Sequence, residues 1–154
     1  MNNQELEIEK EMKALFAPFL DCGFTYRYFY EKGGDSSCVY IYRFQKGKEF
    51  FDLREVSGGD ELNFVVYANG EYQFPSLKYR YPKEFKSFRL RHLFKKPTAE
   101  ERRELFATLL KKELNQDTFF GIKIWEYSLI ISPYRFWTLL KVENKIVGNE
   151  FYVE

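Results

Sequence analysis

Histidine is almost missing from this chain: His92 is the only one in 154 residues. A metal site or catalytic mechanism that needs two imidazoles is therefore excluded. Cysteine is scarce as well. Cys22 and Cys38 are too few for a disulfide scaffold, and they do not form the C-x-x-C pair of a thiolate zinc or redox centre. Both read as small apolar residues rather than nucleophiles. The glycine pairs at 33–34 and 58–59 lack the Lys-Ser/Thr that follows in a phosphate loop, and there is no G-x-S-x-G elbow. Long apolar runs are lacking: the stretch from Tyr127 to Tyr134 falls far short of the ~20 residues of a membrane span. The opening residues have neither the basic region nor the apolar run of a signal peptide. Charge of one sign is lacking too. Lys plus Arg total 24 against 23 Asp plus Glu, and a net charge of +1 gives no general attraction to nucleic acid or acidic membrane. These absences lead to the expectation of a cytoplasmic protein with no cofactor, no metal, no membrane partner and no catalytic residues.

What the chain has in excess is aromatic side chains, 20% of the residues, with 17 Phe and 12 Tyr. Such residues favour a pleated, half-buried surface. A helix opens the chain. Ile8, Met12, Leu15, Phe16 and Phe19 repeat at helical spacing, the early glutamates suit the helix dipole, and Gly23 is the expected stop. Strands are expected at Phe24–Tyr30, Cys38–Gln45, Lys48–Val56, Leu62–Ala68 and Glu71–Phe74, joined by short turns of which Asn69-Gly70 is the strongest signal. Pro75 should end the fifth. A sixth strand is expected over Phe88–Phe94, where Arg89 and Arg91 alternate with apolar residues. Thr98-Ala-Glu-Glu101 reads as a capping box opening a helix that buries Leu105, Phe106, Leu109, Leu110 and Leu114. Residues 121–131 read as a buried strand, and Ser132-Pro133 as the start of a final helix ending near Asn144. The fold class is α+β: one domain over residues 1–154, an antiparallel meander of about five to seven strands, an N-terminal helix and two C-terminal helices.

Loops at 46–47, 57–60 and 69–70 set a register in which Tyr42 faces Phe51, Phe51 faces Val66, and Leu53 lies between Tyr40 and Phe64. Phe44 and Leu62 join that face. The opposite face then holds Ile41, Phe50, Val65, Tyr67, Tyr72 and Phe74. Both faces are apolar, whereas a sheet with one wet face alternates more cleanly. Helices should therefore cover one face, leaving the other to line a concave pocket, take further chain or meet a partner.

Two polar constellations stand out. Arg43, Asp52, Arg54 and Asn63 share one sheet face and are candidates to hold a small ligand around an aromatic floor. Glu55 falls on the other face, so no Asp52–Glu55 acid–base pair is expected. Between Lys78 and Lys96, eight basic residues meet Glu84 alone, a net of about +7, with aromatics interleaved. Lys78, Arg80, Tyr81, Lys86, Arg89 and Arg91 are the candidates there for binding single-stranded nucleic acid. His92, with Arg89 and Arg91 beside it, reads as a structural or surface residue.

Leu20-Asp-Cys-Gly23-Phe24, Phe29-Tyr30 and Val39-Tyr-Ile-Tyr-Arg-Phe-Gln45 resemble uncharacterised bacterial domain-of-unknown-function families. Those families open with a helix ending in Gly-Phe, followed by an aromatic strand and a strand closing on Gln. The resemblance covers residues 1–45. It implies a small soluble bacterial α+β protein with no assigned reaction, and it carries over no site residue. The leading expectation is a non-enzymatic interaction module that meets a protein partner or a second copy through an aromatic sheet face. Nucleic-acid binding through 78–96 is the alternative, and a small-ligand or enzymatic pocket on the sheet a second.

Overall fold

The computed structural model describes residues 3–32, 38–56, 61–114 and 117–124. The chain opens with α1 (Asn3–Leu15), pauses at Phe16, and resumes as α2 (Ala17–Asp21). One continuous helix to Gly23 was the expectation. Pro18 corrects it: without an N–H it cannot donate to the Ala14 carbonyl, so the helix breaks just before it. Gly23 does terminate the second piece. At φ +87° it donates to the Leu20 carbonyl while Phe24 N donates to Phe19 O, the two bonds of a Schellman close.

Five strands follow as an antiparallel meander in chain order: β1 (Thr25–Lys32), β2 (Cys38–Lys46), β3 (Glu49–Val56), β4 (Glu61–Ala68) and β5 (Glu71–Gln73). Asn69 and Gly70, at φ +55° and +82°, make the two-residue turn that pairs Ala68 with Glu71. β3 and β4 pair as expected, Phe51 against Val66 and Leu53 against Phe64. The β2–β3 register needs correction. Lys46 pairs with Glu49, so the turn is 47–48 rather than 46–47, with Gly47 taking φ +61°. Tyr42 consequently faces Leu53, and Phe44 faces Phe51. Moving the turn by one residue slides the partners by two, so every side chain keeps its face. The expected Gly-Gly turns at 33–34 and 58–59 lie outside the described residues.

After the sheet come α3 (Leu77–Arg80), α4 (Pro82–Arg91) and α5 (Ala99–Glu113), then a small hairpin of β6 (Thr118–Phe119) and β7 (Ile122–Lys123). The expected sixth strand over Phe88–Phe94 does not form; most of it is the last turns of α4. Pro82 sits in that helix's first turn, where its missing N–H costs nothing. Tyr81, Phe85, Phe88 and His92 then fall on one helical stripe. The capping box forms as expected, with Glu101 N donating to Thr98 Oγ1 at 3.2 Å and Thr98 N to Glu101 Oε2 at 2.7 Å. Of the strand expected over 121–131, only Ile122–Lys123 is a strand among the described residues. The rest of it, and the final helix expected after Ser132-Pro133, lie outside them. No helix among the described residues is long and apolar enough to cross a membrane.

The core lies between the helices and one sheet face. Met12, Phe16 and Phe19 from the N-terminal helices and Ala107, Leu109 and Leu110 from α5 join Tyr42, Phe44, Phe51, Leu53, Phe64, Val66 and Ala68. Phe51 is its centre: Phe16, Phe19, Phe24, Phe44, Phe64 and Phe119 place their rings 5.0–6.2 Å from its own. Aromatic pairs at these distances add directional attraction to the area they bury.

Candidate functional site

The outer sheet face is built by alternation. Pairing of Arg43 with Asp52 and of Arg54 with Asn63 puts all four candidate residues on the face opposite Phe51. Three of them join. Asp52 is fully buried, and both its oxygens are taken. Arg43 donates from Nε to Oδ1 at 2.8 Å and from Nη2 to Oδ2 at 2.9 Å, and Arg54 Nη2 reaches Oδ2 at 3.1 Å. Asn63 lies across the ladder from Arg54 and stays exposed.

Aromatic rings wall this cluster. The Arg43 guanidinium lies 3.6 Å from the Phe50 ring centroid and 5.2 Å from that of Phe29, a cation held between π faces. Its pKa is raised by the Asp52 hydrogen bonds, against the opposing effect of partial burial. Phe50 stacks on Tyr67 at 5.2 Å, and Tyr72 closes edge-on against Tyr67 at 5.0 Å. Tyr72 and Phe74 remain 56% and 73% exposed. Among the described residues, Arg54 Nε is enclosed with no hydrogen-bond partner. Two guanidiniums against one carboxylate leave the cluster cationic and rich in donors. The buried Asp52 carboxylate is turned to holding the two arginines in place.

The basic segment is divided. Arg80 and Tyr81 are spent on packing: Arg80 bonds both oxygens of buried Glu113, at 3.1 and 2.9 Å, and the Tyr81 hydroxyl donates to Glu113 Oε1 at 2.5 Å. Burial, and after it that bond, pushes the Tyr81 pKa up to about 12. Lys78, Lys86, Arg89 and Arg91 are exposed. His92 is held as a structural residue, with Nδ1 2.7 Å from Phe88 O and Nε2 3.3 Å from Glu101 Oε2. Cys22 is partly buried, and burial pushes its thiol pKa up, away from the reactive thiolate.

A third cluster has no counterpart in the sequence reading. Arg103, nearly buried, bonds both oxygens of Glu11 at 2.9 Å and Glu55 Oε2 at 2.8 Å, and the Tyr42 hydroxyl donates to the same Glu55 oxygen at 3.2 Å. The signal was available: Arg103 stands on the α5 stripe of Ala107 and Leu110, where an apolar residue belongs. A cleft of about 420 Å³ beside it is lined by Glu7, Glu11, Glu55 and Glu100. Among the described residues, no three His, Cys, Asp or Glu side chains gather to hold a metal ion.

Comparison with known proteins brings no relative: no family model, no curated protein and no solved structure matches the chain.

Proposed function

We propose that this chain is a non-enzymatic interaction module of the bacterial cytoplasm, and that it binds a protein, first of all a second copy of itself, through the outer face of its sheet. The bacterial setting rests on the resemblance of residues 1–45, and the cytoplasmic one on the scarcity of cysteine. One observation carries the binding reading: Tyr72 stands exposed on the Phe50 and Tyr67 rings beside an arginine pair that Asp52 holds in place, and Phe74, more exposed still, follows just beyond β5. Aromatic and arginine side chains presented rigidly are the residue types that dominate protein–protein contacts. The Arg54 side chain, one-third exposed, adds a guanidinium that a partner's carbonyl or carboxylate would engage.

Sedimentation velocity across a range of concentrations tests this reading. The chain should associate reversibly, and Tyr72→Ser together with Phe74→Ser should shift it to monomer while circular dichroism shows it folded. Arg54→Ala should weaken association by about tenfold, the effect of a contact worth 1.4 kcal/mol. A strict monomer at every concentration, or an oligomer indifferent to all three changes, would remove the support for this face.

A further inference from the structure

α4 has no buried residue. Its inward stripe is only half buried, Phe85 against Phe106 at 6.1 Å and Phe88 against His92 at 4.4 Å. Its outward side carries Lys83, Lys86, Arg89 and Arg91, and Lys95 follows just beyond its end, all exposed. A purely basic face would be ordinary solvated surface. This one also raises apolar side chains into water: Leu90 is 53% exposed, Leu93 62%, and Phe94 completely. Apolar groups clustered at one end of a basic helix are the composition of an interfacial contact.

We propose that α4 and the corner after it dock on an anionic phospholipid bilayer, the cations among the headgroups and Leu90, Leu93 and Phe94 at the acyl boundary. Charge complementarity selects the occupant. The near-zero charge of the whole chain, which gave the expectation of no membrane partner, averages this basic pole with the glutamates of α1. A surface potential acts only within about a Debye length, so the local patch decides. Nucleic acid would use the same cations. Its bases, however, stack on a run of free aromatic faces; Tyr81, Phe85 and Phe88 are turned toward α5 or His92, which leaves Tyr79 before the helix and Phe94 after it as the exposed rings of the segment. Leu90 and Leu93 have no stacking face to offer.

Co-sedimentation of the full chain with vesicles tests the proposal, independently of the sheet face. The chain should partition onto phosphatidylcholine–phosphatidylglycerol vesicles and not onto phosphatidylcholine alone, less so as salt rises. Lys86→Ala and Arg89→Ala should each weaken partitioning roughly fivefold. Leu93→Ser and Phe94→Ser, which leave charge untouched, should each weaken it about tenfold. These positions are exposed, so circular dichroism should show the variants folded. No binding to anionic vesicles, or binding that ignores Leu93→Ser and Phe94→Ser, would overturn the proposal. So would a labelled single-stranded oligonucleotide that binds more tightly than the vesicles and displaces them.

Discussion

Arg103 joins α1, α5 and β3 through a single guanidinium, and no other residue shows so plainly what burial demands of a charge. Removing an ion from water costs several kcal/mol, and only well-aligned partners offset it. Here the partners are the carboxylates of Glu11 and Glu55, with the Tyr42 hydroxyl satisfying Glu55 further. Arg103→Ala would leave Glu55 enclosed with its main counter-charge gone. Such a break typically costs 3–5 kcal/mol, so the urea midpoint should fall sharply. Tyr42→Phe removes one hydrogen bond to an anion and should cost about 1.5–3 kcal/mol. A midpoint unmoved by Arg103→Ala would mean that Glu55 has another partner. The centre of the core should respond in the same measurement: Phe51→Ala is expected to cost about 3–5 kcal/mol, because six rings lose their common neighbour.

Among the elements, α5 has the most explicit start. Thr98→Ala removes the side-chain acceptor of its capping box and should lower stability by about 1 kcal/mol. The hydrogen bond from Thr98 N–H, and then His92, depress the Glu101 pKa. The contribution of the box is therefore present above the ordinary carboxylate range and fades as pH falls through that lowered value. Thermal melts of wild type and Glu101→Gln, which keeps a neutral acceptor for Thr98 N–H, should converge in acid. At the β2–β3 turn, Gly47→Ala meets no neighbouring atom, so its cost of about 1–2 kcal/mol comes from the left-handed backbone alone. The sequence made some of these elements legible and hid others for physical reasons. Asn69-Gly70 and the Thr98 box are local signals that nothing distant can override. The outer-face cluster of Arg43, Asp52 and Arg54 was legible because strand alternation survives a two-residue slip in register. The helical stripe Tyr81, Phe85, Phe88 and His92 was present as well, but the alternation of Arg89 and Arg91 with apolar neighbours imitated a strand. Arg103 lay hidden because its partners are far away in sequence, and only tertiary packing brings an arginine into an apolar stripe.

At the scale of the whole molecule, the tyrosines tie stability to alkaline pH. Burial, followed by neighbouring glutamates, raises the pKa values of Tyr26 and Tyr42 well above the ordinary range, and it pushes Tyr28 up to about 12. Burial and the Glu113 hydrogen bond place Tyr81 at about 12 as well. Two of these hydroxyls join elements on the helix-covered side of the sheet: Tyr42 reaches Glu55 under α5, and Tyr81 ties the start of α4 to the end of α5. In an unfolded chain each would ionise near pH 10. Above that pH the folded protein binds more protons than the unfolded one, so stability falls as pH rises. Their contribution is fully present below about pH 10 and is lost as pH climbs toward the raised values. Alkaline unfolding should therefore be cooperative. Followed by tyrosinate absorbance, the native chain should show less ionisation at about pH 11 than the urea-unfolded chain, and the difference should disappear in step with the loss of circular dichroism. Superimposable native and unfolded titrations would show that these hydroxyls are open to water, and with them the Tyr42–Glu55 and Tyr81–Glu113 contacts that join the helices to each other and to the sheet.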